Sequence, residues 1–168
     1  MARTGKLQDL NLIILIMVGN ERISKPKTPL LTVDCVVFNH GRVLLIERGF
    51  PPFKGMFALP GGFVDEGESV ESACVRELEE ETGVVLPLEE LELVGVYSEQ
   101  GRDPRGPTVT VAYRAEVLGV IDLKAGDDAR SACFVNDWES RELAFDHKKI
   151  ISDASMLIKS MKHIWPNE

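Results

Sequence analysis

The alternation of apolar and polar positions divides this chain into strand-like and helix-like blocks. Residues 31–38 form an apolar, β-branched run, residues 39–41 a turn signal and residues 42–47 a second apolar run, so the stretch reads as a hairpin. Residues 53–59 then lead into a Pro60-Gly61-Gly62 turn. Beyond it Val70, Ala73, Cys74 and Leu78 recur at helical period, with Val75 beside them. Ser69 stands where a cap belongs, Glu71 suits the positive end of the helix dipole, and Gly83 can take the left-handed conformation that stops the helix. Residues 91–98 and 109–117 are the next strand candidates, the second supported by the alternation through Thr108, Val109, Thr110, Val111 and Ala112. Residues 132–135 form a short further strand. From 146 to 163, Ile150, Ala154, Leu157, Ile158 and Met161 mark a closing amphipathic helix. Strands on both sides of a helix, followed by a final helix, predict an α/β fold with a mixed sheet covered on both faces.

The first thirty residues need separate treatment. Residues 10–18 are strongly apolar and follow Arg3 and Lys6, yet the run is too short to span a bilayer. Gly19, Asn20 and Glu21 follow it without the small-residue pattern of a cleaved leader. An added strand or a subunit contact is the expectation, with translation from Met17 an alternative. The Lys/Pro-rich stretch 24–29 then marks entry to the core. The expected division is an amino-terminal extension, 1–30, and one domain, 31–168, a size that suits a chain of 168 residues.

Composition narrows the function. A net charge of −8 argues against an electrostatic nucleic-acid binder, whose footprint is basic, and no membrane association is expected. Cys35, Cys74 and Cys133 are too scattered for a zinc site and read as reduced thiols, so a cytoplasmic setting is expected. His40, His147 and His163 lack metal spacing and read as structural or surface residues.

The densest chemistry lies between Gly62 and Val84. Positions three and four apart share a helix face, so Glu77, Glu80 and Glu81 converge. Carboxylates held that close repel unless solvent screens them or a divalent cation neutralises them. Hard oxygen ligands suit magnesium, or manganese. A solvated acidic face would account for the glutamates but not for the glycine turn, the cap and the glycine stop that accompany them.

Gly62, Glu68, Arg76-Glu77-Leu78, Glu80-Glu81, Gly83 and Val84 match the Nudix box at every defining position, and the segment resembles that signature of the Nudix hydrolases. The resemblance covers roughly residues 31–160 and implies an α/β/α sandwich with a mixed β-sheet between helices. It also implies that Glu77, Glu80 and Glu81 are metal ligands, with the carbonyl of Gly61 a further one, and that Arg76 and Glu68 form a supporting ion pair. The activity implied is cation-assisted attack of water on a pyrophosphate. The general base does not carry over from the family; Asp127 and Asp128 are candidates, with Glu99 a third.

Three segments resemble the ADP-ribose pyrophosphatase branch: residues 101–106 with Arg102 and Arg105, residues 125–129, and the Leu143-Ala144-Phe145-Asp146-His147 run. Where that branch carries a proline beyond the box, this chain has Gln100. Arg102 and Arg105 are the expected substrate-gripping residues, with Arg48 and Lys54 as further phosphate contacts. Salt bridges in a surface loop are the alternative for the two loop arginines. Phe53 and Tyr97 could stack a base, although aromatics in such segments more often fill the core. The leading expectation is hydrolysis of ADP-ribose, a small nucleotide sugar, to AMP and ribose 5-phosphate by a homodimer. Two alternatives stay open: a housecleaning hydrolase of nucleoside triphosphates, and a non-catalytic ADP-ribose sensor. Such sensors attach a winged helix for DNA, for which the few residues after the closing helix leave no room.

Overall fold

Strand β1 (Leu30–Asn39) organises the sheet because its neighbours change along its length. In the computed structural model, which describes residues 28–124, 126 and 129–164 with side chains through Leu157, β1 turns back at residues 39–41 into β2 (Arg42–Arg48). His40 and Gly41 both adopt positive φ there, the requirement of a tight two-residue hairpin turn. Only Phe38↔Val43 and Asn39↔Arg42 pair in this hairpin, after which the two strands part.

The following segment fills the fork. Strand β3 (Phe57–Ala58) pairs with β2, and strand β4 (Gly61–Phe63) pairs with β1 through Thr32↔Phe63, Val33↔Gly62 and Asp34↔Gly61. Pro60 is the crossing point, its carbonyl accepting the Cys35 N–H at 2.9 Å. A Cβ on Gly61 would collide with the Val33 carbonyl, so only glycine admits this approach.

On its other edge β1 runs parallel to β6 (Thr108–Glu116) along its full length, and β6 pairs antiparallel with β5 (Glu92–Tyr97). Strand β7 (Ala129–Val135), three residues longer at its start than the pattern predicts, pairs with the outer edge of β2. The sheet is therefore mixed and has seven strands among the described residues.

Two helices cover it. Helix α1 (Val70–Thr82) starts at Ser69, whose Oγ accepts the Ser72 N–H, and ends at Gly83, with φ of 73° and its N–H on the Glu79 carbonyl. It buries Ala73, Cys74 and Leu78 against Val33, Cys35, Val37 and Leu44. Helix α2 (His147–Ile164) buries Ile150, Ile151 and Ala154 on the other face, against Val36, Phe38 and Leu45. Burying aliphatic side chains of this kind contributes about 1.5–3 kcal/mol each, which fixes both helices on the sheet. The α/β/α sandwich follows directly. The apolar run 10–18 and the proposed Met17 start lie outside the described residues, and no described helix is long and apolar enough to cross a membrane.

Candidate active site

The β4 wedge brings the glycine turn up to helix α1. A Cβ on Gly62 would fall on the Glu77 carboxylate, so glycine at this position lets that side chain lie against the backbone. Gly61 donates its N–H to Glu81 Oε2 at 2.9 Å. Glu77 and Glu81, one helical turn apart, thus line one cleft of about 490 Å³ together with Gly61, Gly62, Arg48 and Arg105.

Arg76 holds the acidic face in order. Its Nε and Nη2 donate to the two carboxylate oxygens of Glu68, both at 2.9 Å, and Nη2 also reaches the Phe63 carbonyl. Nη1 contacts Glu77 Oε1 at 2.8 Å and Glu80 Oε2 at 3.2 Å. These contacts raise the affinity of Arg76 for its proton and hold Glu68 below the usual carboxylate range. Glu77 behaves oppositely: partial burial pushes its carboxyl up, and repulsion from Glu80 and Asp65 adds to this while Arg76 opposes it. A half-buried carboxylate against a bare glycine, with a second one beside it, suits a divalent cation.

Glu77 and Glu81 line the cleft, and Glu80 meets Glu77 at a shared Arg76 nitrogen on its rim. Glu80 lies about 100° around the helix from Glu81, and Arg76 engages it on the outer side, where its side chain is 60% exposed. Among the described residues no set of three acidic, histidine or cysteine side chains stands at metal-binding spacing.

Across the cleft stand two cations. The Arg105 side chain pairs with Asp103 Oδ2 at 2.7 Å while its guanidinium lies over the Phe63 and Phe145 rings. Burial alone would raise the Asp103 carboxyl, but the Arg105 side-chain and backbone N–H groups bring it below its ordinary value. Arg48 donates through Nε to the Pro52 carbonyl and lies over Phe145 at 4.9 Å. Partial burial, reinforced by the neighbouring positive charge of Arg105, lowers its proton affinity.

Arg102 is the main correction to the substrate-gripping set. Its side chain is only 4% exposed and forms a two-pronged pair with Asp146, at 3.0 and 2.7 Å, with Asp34 at 3.7 Å. The start of α2 rises against the 101–106 loop and captures this arginine, an outcome of tertiary packing. Lys54 is exposed at a turn and does not line the cleft. Glu99 is exposed on a separate surface depression with Ser98 and Pro107. Asp127 and Asp128 lie outside the described residues.

Beneath the cleft, Asp34 is a polar centre that sequence reasoning passed over. It accepts the Thr110 hydroxyl at 2.8 Å and faces His147 Nε2 at 3.3 Å. Leu59 donates its N–H to His147 Nδ1 at 2.8 Å, which places the ring proton on Nε2, toward Asp34. Burial keeps His147 from protonating at its ordinary pH, against the pull of Asp34 and Asp146. A lone acid within the apolar run of β1 was the signal available for this site. Tyr97 is a core residue whose hydroxyl donates to Asp153, and Phe53 packs edge-on against Phe145.

A mixed sheet thus lies between two helices, and carboxylates and arginines share one cleft over a two-glycine turn. A family model described as the NUDIX domain matches residues 28–156, and the chain belongs to that family as a Nudix hydrolase. It is 49% identical over 125 residues to the ADP-ribose pyrophosphatase of Methanocaldococcus jannaschii, covering 74% of this chain and 72% of that protein. It is 36% identical over 139 residues to the ADPR responsive transcriptional repressor NtrR of Acinetobacter baylyi; this covers 76% of the chain but only 53% of the repressor, so the chain spans about half its length. The cocrystal structure of the NUDIX domain of Shewanella oneidensis NrtR with ADP ribose matches at a TM-score of 0.75 and 33% identity, covering 86% of this chain and 97% of that one.

Proposed function

We propose that this chain hydrolyses the diphosphate bond of ADP-ribose, releasing AMP and ribose 5-phosphate, with a divalent cation bound at Glu77 and Glu81. The observation that carries the reading is one cleft lined by two carboxylates, Glu77 and Glu81, and two arginines, Arg48 and Arg105, over Gly61 and Gly62. The name of the Methanocaldococcus jannaschii relative supports the substrate. So does the presence of ADP ribose in a structure similar to this one. A cleft of about 490 Å³ suits a ligand of this size.

Magnesium or manganese, when bound, supplies charge neutralisation at the diphosphate oxygens and acidifies a water for attack at phosphorus. Glu77 and Glu81 would hold it, with the Gly61 carbonyl and Glu80 as further oxygen ligands. Arg76, tied to Glu68, orients the acidic face rather than touching substrate. Arg48 and Arg105 bind the phosphates, keeping the scissile bond over the glycine floor. Water's oxygen bonds to one phosphorus, the bridging P–O bond breaks, and the departing phosphate takes the electron pair. Glu77 and Glu81 line the cleft, and one of them would accept the water's proton. A homodimer working in a reducing cytoplasm completes the reading, the three cysteines being free thiols.

Likeness to the repressor's domain favours a second reading, binding of ADP-ribose without turnover. Initial rates on ADP-ribose, NADH and a panel of nucleoside triphosphates, with magnesium, separate the possibilities. Preferred release of AMP and ribose 5-phosphate from ADP-ribose is expected. Preference for triphosphates would reject the substrate, and tight binding with no turnover would establish the sensor.

A further inference from the structure

Phe145 combines an unfavourable backbone with a crowded ring. Its φ is 55°, a conformation that bulky non-glycine residues rarely adopt and that costs of order 1–3 kcal/mol. The flanking contacts over-determine it. Ala144 donates its N–H to the Phe57 carbonyl at 2.8 Å, Asp146 grips Arg102 with both oxygens, and His147 accepts the Leu59 N–H.

The ring lines a small recess that adjoins the cleft at Gly61 and Gly62, where it meets both cations. Arg48 lies 4.9 Å from its centroid and Arg105 5.7 Å, while Phe53 packs against it edge-on at 4.9 Å. Two guanidinium groups sharing one small region repel each other. Asp103 pairs with Arg105 and also attracts Arg48, which the Pro52 carbonyl holds. The negative π face of Phe145 adds to these contacts and draws both guanidinium groups to one ring.

We infer that Phe145 is a positioning residue that holds Arg48 and Arg105 as a preset pair, spaced to take the two adjacent phosphates of a diphosphate. The inference rests on the proposed function for the identity of the ligand, a diphosphate. Asp146 and His147, which follow it, serve the same end, fixing the loop that carries Arg105 and the segment that precedes Gly61. Phe145 itself makes no contact with the reacting atoms and acts through the arginines.

Calorimetric titration of inorganic pyrophosphate, with KM and kcat for ADP-ribose measured in parallel, tests the pairing. Leucine meets the same backbone strain as phenylalanine, so Phe145→Leu isolates the ring. It is expected to raise the pyrophosphate Kd and the KM about fivefold or more, the loss of two modest cation–π contacts, with kcat nearly unchanged. Phe145→Tyr, which keeps the π face, should restore both to within about twofold. Arg48→Lys keeps the charge but loses planar stacking, and it should weaken pyrophosphate to a similar extent even if the leucine variant folds poorly. Wild-type Kd in Phe145→Leu or in Arg48→Lys, equal weakening by leucine and tyrosine, or no pyrophosphate binding by the wild-type protein would overturn the inference. Absence of ADP-ribose turnover in the wild-type protein would instead remove the substrate assignment, leaving the pyrophosphate comparison to stand by itself.

Discussion

Replacing Arg102 with methionine separates a structural ion pair from a substrate contact. The arginine side chain is 4% exposed, its two bonds to Asp146 are 3.0 and 2.7 Å, and Asp34 lies 3.7 Å away. Methionine fills similar volume and leaves two carboxylates in a poorly hydrated site with no cation. Removing one partner of a buried pair costs about 3–5 kcal/mol. At roughly 2–4 °C per kcal/mol for a protein of this size, the variant should melt about 6–20 °C lower in a calorimetric or fluorescence scan. Adding Asp146→Leu should recover part of the loss, since the cycle then removes both charges. The KM of the properly folded fraction should change little, because Asp146 already engages the guanidinium through two hydrogen bonds. A variant with the wild-type Tm and a sharply raised KM would refute this reasoning and return Arg102 to the substrate-binding set.

Gly62→Ala should leave the fold intact, because Gly62 does not occupy the left-handed region, yet its new methyl displaces the Glu77 carboxylate. Turnover is expected to fall about 10- to 100-fold with little change in Tm, and activity within twofold of wild type would contradict the role given to Glu77. His147→Asn retains an acceptor for Leu59 but removes the contact with Asp34. Because burial holds the folded His147 pKa below the unfolded value of 6.5, its contribution is full above that value and is lost as pH falls through the folded pKa. The stability advantage of the wild-type protein over this variant should therefore shrink on acidification from neutrality, as read by urea unfolding at several pH values; a gap that widens would reverse the assignment.

Local signals were legible in the sequence and tertiary ones were not. The box helix is set by residues close in sequence, the Ser69 cap, the stripe ending at Leu78 and the Gly83 stop, and each is where the pattern puts it. Strand β4 is different. Gly61-Gly62-Phe63 has no strand character of its own and pairs only because β1 and β2 diverge, a consequence of the hairpin and of β6 acting together. Arg102 and Arg105 look alike in a loop sequence, yet the start of α2 buries one and leaves the other 38% exposed. Helical spacing likewise brought Glu77, Glu80 and Glu81 together as a group, but it does not tell that Glu80 stands 60% exposed on Arg76 while Glu77 and Glu81 line the cleft. Asp34 was visible as an acid in an apolar strand, but its partners Thr110, His147 and Arg102 come from three distant segments.

Turnover of ADP-ribose with magnesium present or chelated, in the wild-type protein and in Glu77→Gln and Glu81→Gln, tests the central claim most directly. The wild-type protein should release AMP and ribose 5-phosphate in equal amounts and stop on chelation. Each glutamine variant should lose about 10²-fold or more in kcat while keeping its Tm. Hydrolysis that survives chelation, or that proceeds undiminished in both variants, would contradict the assignment of these two carboxylates as the cation-holding wall of the cleft.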